Sequence, residues 1–526
     1  MSHTNSIIIG DMSSVRDKGV SYLHENYFWP VSESRFSEFS EFMHNEYIDI
    51  VRNNSNLEIN NIAVVEFSFI AKLLQILHYN YVYEYSLDKD IDLIVGEDSK
   101  GYLHPDWDNI KHYYSRQLFP NRRVKRVIRR IVRNIVFNKH LSFIQIVSGL
   151  LFGSDKVSVG SNDRIKKDFI ANSYEFYDHV DWPHLVDHNN TLVDEKVIKY
   201  RDIFISSVID PYLQKLRNHD SLFVQNVDFD KIKEVWGERI LEAYSLYLNL
   251  RSSVSASELL ITEISKPINK LITIAYQNSG CIVYGFHHGN DTVAKISKQG
   301  FSANIAQCRN LVVPTDGIKA RYDKHYSDTY RITNFSTKFI SINSDTMYQE
   351  YLNNMSNKYN SDTVMIMGYP CECTRYSDCR GLFFKQQVDL EYQIISILKR
   401  KNKRVIYKAH PDRLREIKEV FNCIVDDILI TPYEETWDKA GLLIFTYSET
   451  TTFGYALTTN LPIILLDSEE DMRDAHDIKL LDTRVIRIPT NISENTQINF
   501  NKERFVKAVN QKNYNISYKY IEEIYK

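Results

Sequence analysis

A histidine, a lysine and a run of hydroxyl side chains occupy positions from which they could handle a phosphate ester. Residues 403–411 read KRVIYKAHP, an apolar run of strand character that stops at His410-Pro411. Pro411 ends the strand and suits the first turn of a following helix. His410 then lies at a strand's carboxyl edge beside a helix N-terminus, where anions are favoured. Lys408, two residues earlier, shares its face in an extended strand, so the pair could contact a phosphate or diphosphate. An incidental histidine in a capped turn is the plainer alternative. Residues 442–457 (LLIFTYSETTTFGYAL) repeat the design: a strand-like run, then Ser448-Glu449-Thr450-Thr451-Thr452 opening a helix. Four hydroxyls and the free N–H groups of a helix start make a neutral phosphate cradle. Ser448 and Thr451 are also ordinary cap residues, but one cap accounts for one hydroxyl and not four. Glu449 could accept from ribose or sugar hydroxyls, or simply favour the helix dipole.

In the first half, residues 281–286 (CIVYGF) stop at His287-His288-Gly289-Asn290-Asp291. Adjacent strand residues point to opposite faces, so the two histidines have different tasks. One could be a general base or phosphate ligand, the other structural. Asp291 and Asp316 are the carboxylates able to activate an acceptor hydroxyl, although a solvated polar turn explains each equally well. Residues 122–137 (RRVKRVIRRIVRNIVF) form a different feature. Val124, Val127, Ile128, Ile131 and Ile135 follow the helical period, with Arg122, Arg126, Arg129, Arg130 and Arg133 on the other face. Arg126, Arg129 and Arg130 could meet anionic lipid or a phosphorylated acceptor. The alternative is an amphipathic helix packed on its own domain.

Other chemistries find less support. Cys371, Cys373 and Cys379 lack the paired C-x-x-C spacing of a structural zinc site, so no metal is expected. No G-x-x-x-x-G-K-[ST] and no G-x-G-x-x-G occurs, which removes the main signal for a P-loop NTPase or a dinucleotide enzyme. Six cysteines in 526 residues are too sparse for a disulfide scaffold. A formal charge of −4 gives no general attraction to nucleic acid, and none is expected as a partner. The start carries no signal-peptide pattern, and no run of about 18 apolar residues exists, the best being residues 141–152. The expectation is a soluble, cytoplasmic protein.

The elements that must position these residues follow from the same runs. Residues 6–10 and 91–96 read as short strands and residues 64–87 as a helix buried all round. Residues 157–162 (VSVGSN) give a strand-to-turn signal and residues 181–184 a loop. Residues 193–217 and 229–249 read as long helices, and residues 255–275 continue helical, bent or divided at Pro267. After strands at 281–286, 310–314 and 339–343, a polar Asn-rich stretch places a boundary within 335–362. Beyond it strand and helix alternate: strands at 363–368, 404–408, 427–431, 442–446 and 462–467, helices at 385–399, from 412, at 434–439 and at 450–459. This order predicts a parallel sheet covered on both faces. Residues 502–525 read as a closing helix that could return to the first domain.

The H-x-G element of one Rossmann-like half, with K-x-H-P and a strand–S-x-T-x-x–helix in the other, resembles the GT-B glycosyltransferases of bacterial surface polysaccharides. The likeness spans roughly residues 281–467 and points to the capsule, O-antigen and teichoic-acid enzymes that use CMP-Kdo, CMP-sialic acid or CDP-glycerol. It implies that His410, Ser448, Thr450 and Thr451 contact the phosphate and ribose of a cytidine nucleotide, and that His288 is a base. Two departures are plain: the doubled hydroxyl reads Ser-Glu-Thr-Thr, and HHGND differs from the acidic motif of sialyl- and Kdo-transferases.

The expected fold is therefore α/β and GT-B-like, two Rossmann-like domains facing across a cleft with helical additions in the N-terminal half. Residues 1–340 form the acceptor side, 341–501 bind the nucleotide-sugar, and 502–526 add the closing helix. The expected activity is metal-independent transfer of a sugar, with a CMP-linked sugar such as Kdo or sialic acid favoured, to a surface-polysaccharide or lipid-linked glycan. The catalytic set is His288, Asp291, Asp316 and His410, with Lys408, His410, Ser448, Glu449, Thr450 and Thr451 on the donor. The nucleotide-sugar is a substrate, no cofactor is expected, and an anionic membrane surface at the inner face of the cell membrane is a further partner. A CDP-glycerol or ribitol-type polyol-phosphate transferase is one alternative; a non-catalytic nucleotide-binding assembly protein at the membrane is the other.

Overall fold

The computed structural model describes residues 7–95, 133–161, 163–185, 194–286, 301, 305, 307–326, 336–343, 362–369, 384–410, 414–468, 474–494, 496–511, 514 and 516–524. Its apolar runs pair into three sheets. β1 (Ile7–Ile9) and β2 (Asp92–Ile94) make a two-stranded parallel pair. A six-stranded sheet holds β3 (Lys156–Val159), β4 (Asp178–Val180), β5 (Glu258–Ile261), β6 (Ile282–Phe286), β7 (Asn310–Val313) and β8 (Lys338–Ser341). Its order is β4-β3-β5-β6-β7-β8, and every pairing is parallel.

A seven-stranded sheet holds β9 (Thr363–Met367), β10 (Arg404–Lys408), β11 (Asp427–Leu429), β12 (Leu442–Phe445), β13 (Ile463–Ser468), β14 (Ile486–Ile492) and β15 (Ile498–Phe500). The order is β11-β10-β9-β12-β13-β14-β15, parallel except for the antiparallel β14–β15 edge. β9 and β12 are buried along their whole lengths, as parallel strands covered on both faces must be. The chain is thus mixed α/β with two Rossmann-like parallel sheets.

Helices account for the rest of the first half. Phe67–Lys89 is buried on nearly every side, as its sequence predicts, and Leu57–Val65 meets it at a 49° bend. These two, Glu33–Asn53, Glu195–Phe204, Asp210–Arg217 and Phe229–Ser253 form a helical layer. That layer reaches the six-stranded sheet through Pro267–Asn278, which packs against β5, β6 and Phe229–Ser253. No single described helix is long and apolar enough to cross a membrane.

Several sequence expectations are corrected. Residues 255–275 are not continuously helical: Glu258–Ile261 is a central strand, and the helix starts at Pro267. A run of three apolar residues has no readable period, and pairing with both β3 and β6 decides it. Residues 434–439 hold two 3₁₀ turns, Tyr433–Glu435 and Trp437–Lys439, in place of a helix. The closing segment is two helices, Lys502–Val509 and Lys519–Ile524. The second packs on Ala475–Leu481 and on Asp316–His325, which follows β7.

The N-terminal helices Met12–Lys18 and Val20–Glu25 lie on the seven-stranded sheet's helices Leu414–Phe421 and Phe384–Arg400. Lys385 seals that contact: its ammonium sits 3.0 Å from the centre of the Trp29 ring and donates to the Ile9 carbonyl. His24 Nδ1 lies 2.6 Å from Asp389 Oδ1. That hydrogen bond raises the imidazole's pKa from 6.5, against the pull of partial burial and with the charge of Asp389 assisting. A raised folded-state pKa contributes stability that is complete below pH 6.5 and is lost as pH climbs through the raised value. The melting temperature of the wild type is therefore expected to fall relative to His24→Gln between about pH 6 and about pH 9. A constant difference across that range would remove this pair from the account.

Candidate functional site

In an open parallel sheet, ligands bind at the carboxyl edge where the strand order reverses. In the seven-stranded sheet the chain starts at β9, moves outward to β10 and β11, then returns to β12 on the other side of β9. The reversal therefore falls between β9 and β12. Met367 is in register with both Lys408 and Phe445, so the segments after β9, β10 and β12 leave the sheet at one level. Gly368-Tyr369, Ala409-His410 and Thr446-Tyr447-Ser448 line up along this edge. His410 and the hydroxyl cluster are two strand spacings apart, roughly 9–10 Å, with Gly368 and Tyr369 between.

The helix Thr451–Thr458 starts at this edge. Its N-cap is Thr450, whose Oγ1 accepts from Thr452 N at 3.3 Å. This corrects the sequence assignment of capping to Ser448 or Thr451. Ser448 is fully buried, and its carbonyl accepts from Thr450 N at 2.9 Å. Thr451 and Glu449 are half-buried. Thr446 Oγ1 is buried without a hydrogen-bond partner among the described residues. Lys408 is also buried, its ammonium donating to the Ala409 carbonyl at 2.9 Å. Burial pushes its pKa down while Glu434 pulls it up. His410 is half-buried.

Five residues that sequence reasoning did not single out hold this edge together. Tyr369 and Tyr447 meet edge to face at 4.9 Å, and Tyr447 Oη donates to the Gly368 carbonyl at 3.0 Å. Glu391, fully buried, accepts from Tyr369 N and from Tyr407 Oη, each at 2.9 Å. Gly368 lies so close to the Tyr407 ring that a Cβ would stand 2.4 Å from its hydroxyl. The local signal is slight: a Gly-Tyr after β9 and a Thr-Tyr after β12.

The six-stranded sheet has its own reversal, between β3 and β5. Gly160 follows β3 at φ +88°, and a Cβ there would come within 2.4 Å of Thr262 Oγ1. Only glycine meets both conditions. Ser161 Oγ donates to Asp163 Oδ1 at 2.5 Å and lies 3.2 Å from Thr262 Oγ1. Behind them Lys166 is fully buried, donating to the Val159 carbonyl at 3.2 Å, with its pKa pushed down to about 7 by burial.

Asp316 was expected to face an acceptor. It is exposed in the first turn of Asp316–His325, after β7, two strands from that reversal. The later turns of this helix reach the second sheet's layer. Arg321 Nη2 lies 2.5 Å from Asp477 Oδ1, and Lys324 Nζ 2.5 Å from Asp474 Oδ2.

His288, Asp291, Arg126, Arg129, Arg130 and the cysteines 371, 373 and 379 lie outside the described residues. Residues 133–137 are helical, yet Ile135, assigned to the buried stripe, is 45% exposed, and Arg133 pairs with Asp181 at 2.6 Å. Among the described residues no group of three or more His, Cys, Asp or Glu side chains is arranged to hold a metal ion.

Fold and site define an α/β protein with two large parallel sheets, of which the seven-stranded one gathers a histidine, hydroxyls and a helix N-terminus at its switch point. No family model matches the chain, and no curated protein matches it.

Proposed function

We propose that this chain is a glycosyltransferase of GT-B type, working across a cleft between its two sheets. It takes a nucleotide-activated sugar, by preference CMP-linked, at the carboxyl edge of the seven-stranded sheet. It passes the sugar to a surface-polysaccharide or lipid-linked glycan, from the cytoplasmic side of the membrane. The observation that carries this reading is the strand order. It brings His410 and the Ser448–Thr451 turn, separated in sequence by a helix, two strands and two 3₁₀ turns, to one edge on either side of a reversal. Helix N–H groups and hydroxyls there bind phosphate without a metal, and His410 reaches the same edge from β10. Charge that develops on the leaving phosphate is what such fixed donors stabilise. On this reading the Gly160–Thr262 corner of the first sheet faces the acceptor.

A panel of CMP-, CDP-, UDP- and GDP-linked compounds tests it through thermal stabilisation of the whole chain. Ligand at about 100 times its dissociation constant stabilises by about 2.7 kcal/mol, enough for a clear upward shift with cytidine compounds. Shifts confined to UDP or GDP compounds would move the donor class. No shift with any nucleotide at millimolar concentration would overturn the reading.

A further inference from the structure

At the reversal of the six-stranded sheet one carboxylate stands on an unusual backbone. Val159 is in register with Ile261. Gly160-Ser161 and Thr262-Glu263 therefore leave the sheet level with each other, one strand spacing of about 4.8 Å apart. Glu263 has a φ of +53°, in the left-handed region where residues other than glycine are uncommon and asparagine and aspartate lead the exceptions. Asn269, buried in the first turn of Pro267–Asn278, fixes it there. Its Nδ2 donates to the Thr262 carbonyl at 3.0 Å and to the Glu263 carbonyl at 3.3 Å. Lys266 N donates to the same Glu263 carbonyl at 3.0 Å. Glycine would sit in this turn without strain, so a glutamate held there points to a task for its carboxylate.

The other carboxylates described along this edge are placed less well for chemistry at the reversal. Asp181 follows the rim strand β4 and pairs with Arg133 at 2.6 Å. Asp316 follows β7, two strands away. Asp163 is the N-cap residue of Arg164–Ser173 and already takes the Ser161 hydroxyl at 2.5 Å. Glu263 keeps 30% of its side chain exposed, and its ion-pair partner, Lys266 Nζ at 2.7 Å, belongs to a side chain 55% exposed. A pair so open to water is worth little, and an incoming hydroxyl can take the ammonium's place. The carboxylate's charge also reaches inward: burial pushes the Lys166 pKa down to about 7, and Asp163 and Glu263 resist that push.

We infer that Glu263 is the general base of sugar transfer. The inference rests on the transferase reading and names the group that takes the proton. The acceptor hydroxyl gives its proton to the Glu263 carboxylate as its oxygen forms the new bond to the anomeric carbon. The bond from that carbon to the nucleotide phosphate breaks, and its electron pair leaves on the phosphate, where the fixed donors of the seven-stranded sheet stabilise it. Glu263 then returns the proton to water.

Nucleotide release by the full chain from CMP-, CDP-, UDP- and GDP-linked sugars tests it, with water as acceptor, beside thermal stabilisation by the same compounds. Glu263→Gln keeps the shape of the side chain and loses the base. It is expected to keep the wild-type thermal shift, with KM within about twofold, while kcat falls by roughly 10²–10⁴. Glu263→Gly separates catalysis from folding, because glycine relieves the backbone. Its melting temperature is expected at or above that of the wild type, with turnover as low as the glutamine variant's. A glutamine variant that releases nucleotide at the wild-type rate would overturn the inference and leave the transferase reading standing. So would a glycine variant that is stable and active, since the turn alone would then be the residue's task. A glutamine variant that loses the thermal shift along with the rate would make Glu263 a binding group instead of a base. A wild type that releases no nucleotide from any of these sugars would overturn the transferase reading itself, and the base with it.

Discussion

His410→Ala is expected to lower turnover with a nucleotide-sugar by roughly 10² or more, the usual effect of removing one fixed donor to a developing negative charge. The reasoning is positional. His410 stands two residues beyond Lys408, level with Tyr369 and Tyr447 along the edge where the strand order reverses. Lys408 is turned onto the Ala409 carbonyl, which leaves His410 as the side chain of this strand end best placed to meet a phosphate. If it acts as a donor, His410→Gln keeps an N–H and should recover part of the loss. If it acts as a base, Gln fails as badly as Ala, and the rate loses its dependence on the imidazole's titration. The measurement is kcat from nucleotide release, with circular dichroism to show that each variant is folded. An Ala variant that folds and turns over at the wild-type rate would remove His410 from the site.

The parts of this chain that could be read from sequence are those with local signatures. β9, β10, β12 and β13 fall within about a residue of their apolar runs because buried parallel strands read as continuous hydrophobic stretches. His410 and the Ser448–Thr451 turn were legible for the same reason, each following such a run. What could not be read is what depends on order. Nothing local says that β9 lies between β10 and β12, so Gly368, Tyr369, Tyr447 and Glu391 gave no signal, although they shape the edge. The Gly160–Thr262 contact joins residues 102 apart in sequence and waits on the pairing of β3 with β5. β5 itself reads as helix because its three apolar residues fit either period. β14 was missed because Pro489 and Asn491 dilute its pattern. Pro489 stands just before the Thr490–Ile492 stretch that pairs with β15, so on that side it faces no ladder partner.

Glu66→Ala is expected to destabilise the chain by about 3–5 kcal/mol, the cost of leaving a buried charge without its counterpart. Glu66 sits at the bend between Leu57–Val65 and Phe67–Lys89 and is fully buried. Its carboxylate accepts from Arg239 Nε at 2.7 Å and from Trp236 Nε1 at 3.0 Å, both on Phe229–Ser253. Lys270, on Pro267–Asn278, is close enough to feel it: burial pushes that ammonium's pKa down to about 7, and Glu66 resists the shift. One carboxylate thus balances basic groups from two helices, the second of which backs β5 and β6. Removing it charges the low-dielectric layer between the helices and the six-stranded sheet, while replacing both partners by methionine restores packing without charge. Glu66→Met/Arg239→Met should therefore denature in urea closer to the wild type than Glu66→Ala does. A Glu66→Ala midpoint equal to the wild type's would mean that water reaches Arg239 and that the layer is looser than its packing implies. The loss should leave nucleotide-induced stabilisation intact, because the switch point of β9 and β12 draws its support from Glu391 on the helix Phe384–Arg400 and Tyr407 on β10.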